Sequence, residues 1–332
     1  MKFSRKFIIL SIAIVIGLLM LNPMMVGASD KVKIAFATHL KGGGIDEKTI
    51  MKFKEAVEDI SNQRIEVEVF VGGVLGNETD LWELLGTNEI QMNMCGEIII
   101  PSFAPGKYVF GVPFLYEDPK DIRAILDGSL GTEIKKLINQ NGKMKVLDFA
   151  LREPRMLTSN KAIKSIDDIK GLKLRMPPTP EWVEVWKELG ANVVSLAGSE
   201  IYGALQSGLI DAQDNPASVN VSFKFYEVQK YMTRTNHIIG FRTFLISESF
   251  YNSLTCQEQY WILDAASKTI NYYEETVRGL EEENIEILKE KGLALTEIDT
   301  NLLRQRTLPA IERLRKNWDE EVYDIYVKPY LP

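Results

Sequence analysis

Cysteine and histidine are almost missing from this chain, which has two of each in 332 residues. Cys95 and Cys256 lie far apart, and their spacing supports neither a disulfide framework nor a paired C-x-x-C site, so two buried free thiols are expected. His39 and His237 stand almost two hundred residues apart, which argues against a metal held through them. A P-loop, a G-x-S-x-G elbow and an H-E-x-x-H helix are all lacking. No catalytic residue, metal or cofactor is therefore expected. Basic charge is also scarce: 39 Lys and Arg face 46 Asp and Glu, for a net charge of −7. That balance excludes nucleic acid and anionic membrane surfaces as natural partners.

Long apolar runs are lacking too, with one exception. Phe7 to Leu21 is a fifteen-residue stretch that is apolar except for Ser11, preceded by Lys2, Arg5 and Lys6. Fifteen residues fall short of the ~20 needed to span a bilayer. Small residues follow at Val26-Gly27-Ala28, so residues 1–28 read as a cleaved signal peptide. No cysteine near the cut offers a lipid tether, which points to a periplasm. Losing the signal removes three basic residues and moves the net charge from −7 to −10. An acidic protein that binds an anion must then concentrate positive charge locally.

What is present is alternation. Lys31 to Thr38 and Arg64 to Val71 have strand periodicity, and Glu47 to Ile60 carries apolar residues at helical spacing. Further strands are expected at Ile90 to Met94, Lys143 to Ala150, Leu172 to Met176 and Asn192 to Leu196, with helices between them. This is the pattern of an α/β fold with mainly parallel pairing. On Leu172 to Met176 the apolar Leu172, Leu174 and Met176 share one face and Lys173 and Arg175 the other, and Pro177-Pro178 ends the strand. Thr255 and Glu258 form a capping box, after which helical character runs to about Lys291. A helix of roughly 35 residues is on the order of 50 Å long, enough to cross two domains and join them.

One region carries most of the functional information: Gly171-Leu-Lys-Leu-Arg175-Met-Pro177, then Trp186-Lys-Glu-Leu-Gly190-Ala-Asn192, then Glu200 to Pro216 ending in Asp211-Ala-Gln-Asp-Asn215-Pro216. Together with Val69-Phe70, Leu75-Gly76, Val112-Pro113-Phe114-Leu115 and Thr158-Ser-Asn160, it resembles the solute-binding proteins of tripartite ATP-independent periplasmic (TRAP) transporters, in the family named for dicarboxylate binding. The resemblance covers essentially the whole mature chain. It implies a two-lobed periplasmic binding protein fold with interleaved domains, the long C-terminal helix bridging the lobes. Lobe I is expected to comprise residues 29–153 plus about 240–280, and lobe II residues 154–239 plus about 281–332. The implied partners are a small-molecule carboxylate and two integral membrane subunits, one small and one large.

The residues support a carboxylate site independently. Arg175 stands at a strand end before a rigid proline stop, where open α/β sheets meet their ligands, and a guanidinium there can grip a carboxylate through two parallel hydrogen bonds. The resemblance gives Arg175 this role, adds Arg155 as a second ligand arginine and makes Asn215 a ligand contact. Asn215 before Pro216 also suits an ordinary turn. Arg152 is an additional charge, and either Arg152 or Arg155 could pair with Glu153. From the first lobe, His39, Glu78 and Glu97 follow strand exits and could meet ligand hydroxyls. Trp182 and Trp186, four residues apart, are expected in a core. Pro178 and Gly198 stand where the sialic-acid-binding branch has an amide and an aromatic contact, so sialic acid is disfavoured. A sugar acid such as a uronate or aldonate is favoured. The alternatives are a C4-dicarboxylate or other carboxylate, a secreted enzyme acting on such an acid, and a binding protein that feeds a membrane receptor.

Overall fold

A computed structural model of the chain describes residues 31–332; the expected signal peptide lies outside the described residues. Among the described residues, eleven strands form two sheets. The first sheet contains β1 (Val32–Ala37), β2 (Ile65–Phe70), β3 (Met92–Cys95), β4 (Met144–Pro154) and β10 (Ile239–Ser247), in the order β2-β1-β3-β10-β4. The second contains β5 (Met156–Ser159), β6 (Lys173–Met176), β7 (Asn192–Ser195), β8 (Ala212–Asn215), β9 (Tyr231–Arg234) and β11 (Ala294–Glu297), in the order β11-β9-β5-β8-β6-β7.

The chain passes from the first sheet to the second at Arg155, between β4 and β5, and returns between β9 and β10. These crossings run side by side: Pro154 pairs with Ile239, and the Arg155 amide donates to the Ile238 carbonyl at 2.9 Å. They also bring antiparallel pairing into a pattern expected to be mainly parallel. β10 is antiparallel to β3 and β4, and β5 is antiparallel to β8 and β9. A strand entering directly from the other sheet has no crossover helix to reverse its path, so it cannot pair as a βαβ unit does. Parallel pairs include β1–β3, β6–β7, β6–β8 and β9–β11.

The third connection is a 35-residue helix, Cys256–Glu290. Its start is fixed by the Thr255–Glu258 capping box, in which Thr255 Oγ1 accepts from the Glu258 amide and Glu258 Oε2 accepts from the Thr255 amide. The helix packs against helix Ile45–Ile60 and β4 of the first sheet, and against helix Ala217–Ser222 of the second. It then delivers the chain to β11. No helix among the described residues is long and apolar enough to cross a membrane.

Helices cover both sheets, and one large apolar cluster runs from helix Glu78–Gly86 and helix Ser129–Gly142 to helix Pro180–Glu188. The C-terminal helices touch both sides. Trp318 Nε1 donates to the Tyr108 carbonyl at 3.0 Å, and helix Leu308–Leu314 lies on helix Pro180–Glu188. Phe114, from the Val-Pro-Phe-Leu motif, adopts a φ of 67° and packs on Trp186 and His237, while its amide donates to the His237 carbonyl at 2.6 Å. Cys95 is buried and free, as the sequence suggests; Cys256 is free but exposed, because it occupies the solvent side of the first turn of the long helix.

Candidate functional site

The carboxyl ends of β1, β3, β6, β7 and β8 converge on one cleft of about 530 Å³, within the roughly 300–1,000 Å³ typical of small-molecule sites. All seven residues singled out in the sequence line it: His39, Glu78 and Glu97 from the first sheet, Arg152 from β4, Arg155 at the crossing, and Arg175 and Asn215 from the second sheet. Local structure explains their placement. Asn77 caps helix Glu78–Gly86, its side chain accepting from the Thr79 and Asp80 amides, which sets Glu78 in the first turn. Arg175 is the third residue of a four-residue strand that stops before Pro177. Lys173 and Arg175, expected to share a face, differ in exposure because only the strand's carboxyl end is covered by the cleft, so Lys173 is exposed and Arg175 buried.

Four arginines line the cleft, and they fall into two kinds. Arg155 is paired: its Nε donates to Asp214 Oδ2 at 2.6 Å, and its Nη2 donates to the Asp214 carbonyl at 2.7 Å and to Asn215 Oδ1 at 3.2 Å. Its guanidinium also lies over the Trp182 ring, 4.5 Å from the centroid. Arg242 is paired bidentately with Asp46 at 2.8 and 2.9 Å. The other two have no carboxylate. Arg175 donates from Nε and Nη2 to the Leu196 carbonyl, at 2.9 and 2.6 Å, and lies within salt-bridge distance of no acid among the described residues. Arg152 Nε and Nη2 are buried with no hydrogen-bond partner. The expected pairing with Glu153 does not form with either arginine, since Glu153 Oε2 accepts from Ser218 Oγ at 2.7 Å.

The acidities follow this division. Burial pushes the Arg175 guanidinium down to about 10, with Asp214 opposing and Arg155 reinforcing the shift. Burial also lowers Arg152, helped by the neighbouring positive charge of Arg242. Burial would lower Arg155 as well, but Asp214 overcomes it and raises the group. Asp214, although buried, is held well below the usual carboxylate range by Arg155 and His237. His237 is lowered by burial and so is neutral at pH 7. Its partners assign the tautomer: Nε2–H donates to Asp214 Oδ2 at 3.0 Å, and Nδ1 accepts from Thr235 Oγ1 at 2.7 Å. Thr235, His237, Asp214 and Arg155 thus form a buried relay of polar contacts behind the cleft.

The first-sheet side is less satisfied. Glu78 Oε1 accepts from the Gly96 amide at 2.8 Å, and Oε2 stands 3.9 Å from His39 Nε2. Burial lowers His39, with Glu78 opposing, and its Nδ1 has no partner. Glu97 Oε1 is buried and unpartnered. Glu97 and Arg152 approach across Gly240: a Cβ there would lie 2.9 Å from Glu97 Oε1 and 3.2 Å from Arg152 Cδ. Only glycine leaves that space.

Asn215 turns its side chain inward rather than serving as a turn residue alone, accepting from Arg155 and donating from Nδ2 to Gln213 Oε1 at 2.7 Å. Trp186 is core as expected, whereas Trp182 both packs in the core and lines the cleft. The sequence reading missed Asp214, His237, Arg242 and Asp46. Arg242, the lone charge in the mostly apolar run Ile239 to Ser247, was an available signal, because a buried guanidinium requires a partner. Among the described residues no cluster of three or more His, Cys, Asp or Glu could hold a metal ion.

A family model described as bacterial extracellular solute-binding protein, family 7 (DctP), matches residues 36–317, and the chain belongs to this family of TRAP periplasmic solute-binding proteins. A solute-binding protein of Roseobacter denitrificans is 34% identical over 253 residues, 75% of this chain and 76% of the relative. Its crystal structure with bound L-galactonate matches with a TM-score of 0.84, covering 91% of this chain and 99% of that one at 29% identity. The sugar acid binding protein of Advenella mimigardefordensis, in complex with galactonate, matches at 0.85 with 28% identity, covering 91% and 98%. A TRAP solute-binding protein of Pseudomonas putida F1 with bound D-glucuronate matches at 0.82 with 25% identity, covering 90% and 96%.

Proposed function

We propose that this chain is the extracytoplasmic binding subunit of a TRAP transporter for a sugar acid, exported to the periplasm, and that it performs no catalysis. The observation that carries the ligand class is Arg175. A guanidinium anchored by one backbone carbonyl, without a carboxylate partner, in a cleft of about 530 Å³, is a site prepared for an incoming carboxylate. Asn215 and Arg155 support it from the same side. Sugar acids in the solved relatives favour this reading over a C4-dicarboxylate.

The two sheets support lobes of residues 29–153 plus about 240–280 and 154–239 plus about 281–332, although the C-terminal helices touch both sides. Closure of the lobes around the ligand would exclude water and strengthen the arginine–carboxylate pair. The closed form would then dock on a small and a large membrane subunit. Removal of one partner from a buried charge pair costs about 2–5 kcal/mol, so Arg175→Ala weakens binding by at least about thirtyfold. The check is thermal shift and calorimetry with D-galactonate and D-glucuronate. Wild type is stabilised and leaves the acid chemically unchanged, while the variant melts like unliganded wild type with or without acid. An undiminished shift in Arg175→Ala, or turnover of the acid, overturns the proposal.

A further inference from the structure

Resting on the sugar-acid reading, we infer that the ligand is an open-chain polyhydroxylated monocarboxylate, an aldonate rather than a ring uronate or a diacid. Arg152 and Glu97 are the residues that make the distinction.

The charges on the first-sheet wall decide the number of carboxylates. Arg242 is neutralised by Asp46, and Glu78 is engaged by the Gly96 amide. Besides His39 Nδ1, what remains unpartnered on this wall is one pair on either side of Gly240: the Arg152 donors Nε and Nη2 and the Glu97 acceptor Oε1. Both side chains are buried, at 7% and 2% exposure, so each open valence carries a desolvation penalty until something fills it. A hydroxyl can do both tasks, donating to Glu97 and accepting from Arg152, and adjacent hydroxyls on a carbon chain satisfy the pair without adding charge. A second carboxylate would suit Arg152 but could not donate to Glu97. It would also bring a third negative group next to Glu97 and Glu78, in a site where repulsion is poorly screened.

The aromatic residues decide chain against ring. Trp182, Phe223 and Phe225 are the aromatics of the cleft lining. Trp182 is 1% exposed and carries Arg155 over its ring, and Phe225 is fully buried. Phe223 carries Lys41 over its ring at 5.2 Å and meets Phe225 at 5.6 Å. Trp182 and Phe225 offer no open face for the apolar side of a sugar ring, and the half-buried Phe223 shares its ring with Lys41. The cleft instead presents polar groups from both sheets, Glu78, Glu97 and Arg152 on one side and Arg175 and Asn215 on the other, which suits a flexible chain with a hydroxyl on each carbon.

The experiment is calorimetry on the mature chain with D-galactonate, D-glucuronate and galactarate, repeated on Glu97→Gln and Arg152→Gln, with unliganded melting recorded for each variant. Galactonate is expected to bind at least about tenfold tighter than either competitor, the discrimination of one charged hydrogen bond. Arg152→Gln should weaken galactonate by about tenfold or more. Glu97→Gln, which removes the negative charge and keeps the shape, should shift the galactonate-to-galactarate preference about tenfold toward the diacid. Glucuronate or galactarate binding as tightly as galactonate overturns the inference, as does an unchanged preference in a folded Glu97→Gln variant. Failure of all three acids to bind would instead overturn the sugar-acid reading beneath it.

Discussion

The two walls of the cleft contain the same residue types and leave them unequally satisfied. On the second-sheet wall, Arg155 has a carboxylate, a carbonyl, an amide oxygen and an aromatic face, and Asp214 is in turn tied to His237. On the first-sheet wall, Arg152, Glu97 and His39 each keep a buried polar atom without a partner. The second wall would serve as a preformed anchor, since Arg155, Asp214, Asn215 and His237 hold one another, while Asp214 Oδ1 and Trp182 Nε1 keep no partner. The unsatisfied wall is open to whatever completes it. On the proposed reading, holding a carboxylate and recognising the rest of the ligand would be separate tasks on separate sheets.

Removing Asp214 should produce the largest effect. Asp214→Ala leaves Arg155 charged and unpaired in a buried position, which costs about 3–5 kcal/mol of folding stability. Chemical denaturation of the unliganded protein measures it, and a loss below about 1 kcal/mol would show that the second wall is not the interlocked unit described.

A smaller effect concerns an open valence behind that wall. Glu181, beside Trp182 on helix Pro180–Glu188, is buried with Oε2 unpartnered, and burial pushes its carboxyl from 4.5 up to about 7. A carboxyl that binds its proton more tightly when folded stabilises relative to its ionised form below pH 4.5, and that advantage is lost as pH rises to about 7. Wild type should therefore lose on the order of a few kcal/mol between pH 5 and pH 8 relative to Glu181→Gln, which cannot ionise. Parallel stability profiles for the two proteins would refute the assignment.

The smallest effect should come from Arg152→Gln in the unliganded protein. Deleting a buried charge that has no partner removes a penalty, so stability should stay within about 1 kcal/mol of wild type or rise. If Arg152→Gln destabilises as Asp214→Ala does, the contrast between the walls fails.

The features read correctly from the sequence were those written locally. The Thr255–Glu258 box marks a helix start within four residues, and Pro177-Pro178 marks the strand end that exposes Arg175 to the cleft. The resemblance supplied Arg155 and Asn215. The sequence could not reveal that Arg155 pairs with Asp214, 59 residues away, or Arg242 with Asp46, 196 residues away. Such pairs exist only because β10 returns to the first sheet and β8 lies beside β5, and periodicity carries no record of which distant strand becomes a neighbour. The same ignorance made Glu153 the apparent partner of one of Arg152 and Arg155, since it stands between them in the chain. Strand direction escaped for a related reason: β5 and β10 look like any other apolar run, and their reversal is set by where the chain came from.

The paired crossings beside Arg155 have a mechanical consequence. Two strands lying side by side behave as a leaf spring, stiff in their own plane and compliant across it, so swinging of the sheets would be restricted mainly to one axis. Points on an axis of rotation travel least. Arg155, whose own backbone is part of the spring, would therefore keep its station through opening and closing, while Glu78 and Phe223, on longer lever arms, would sweep toward or away from it.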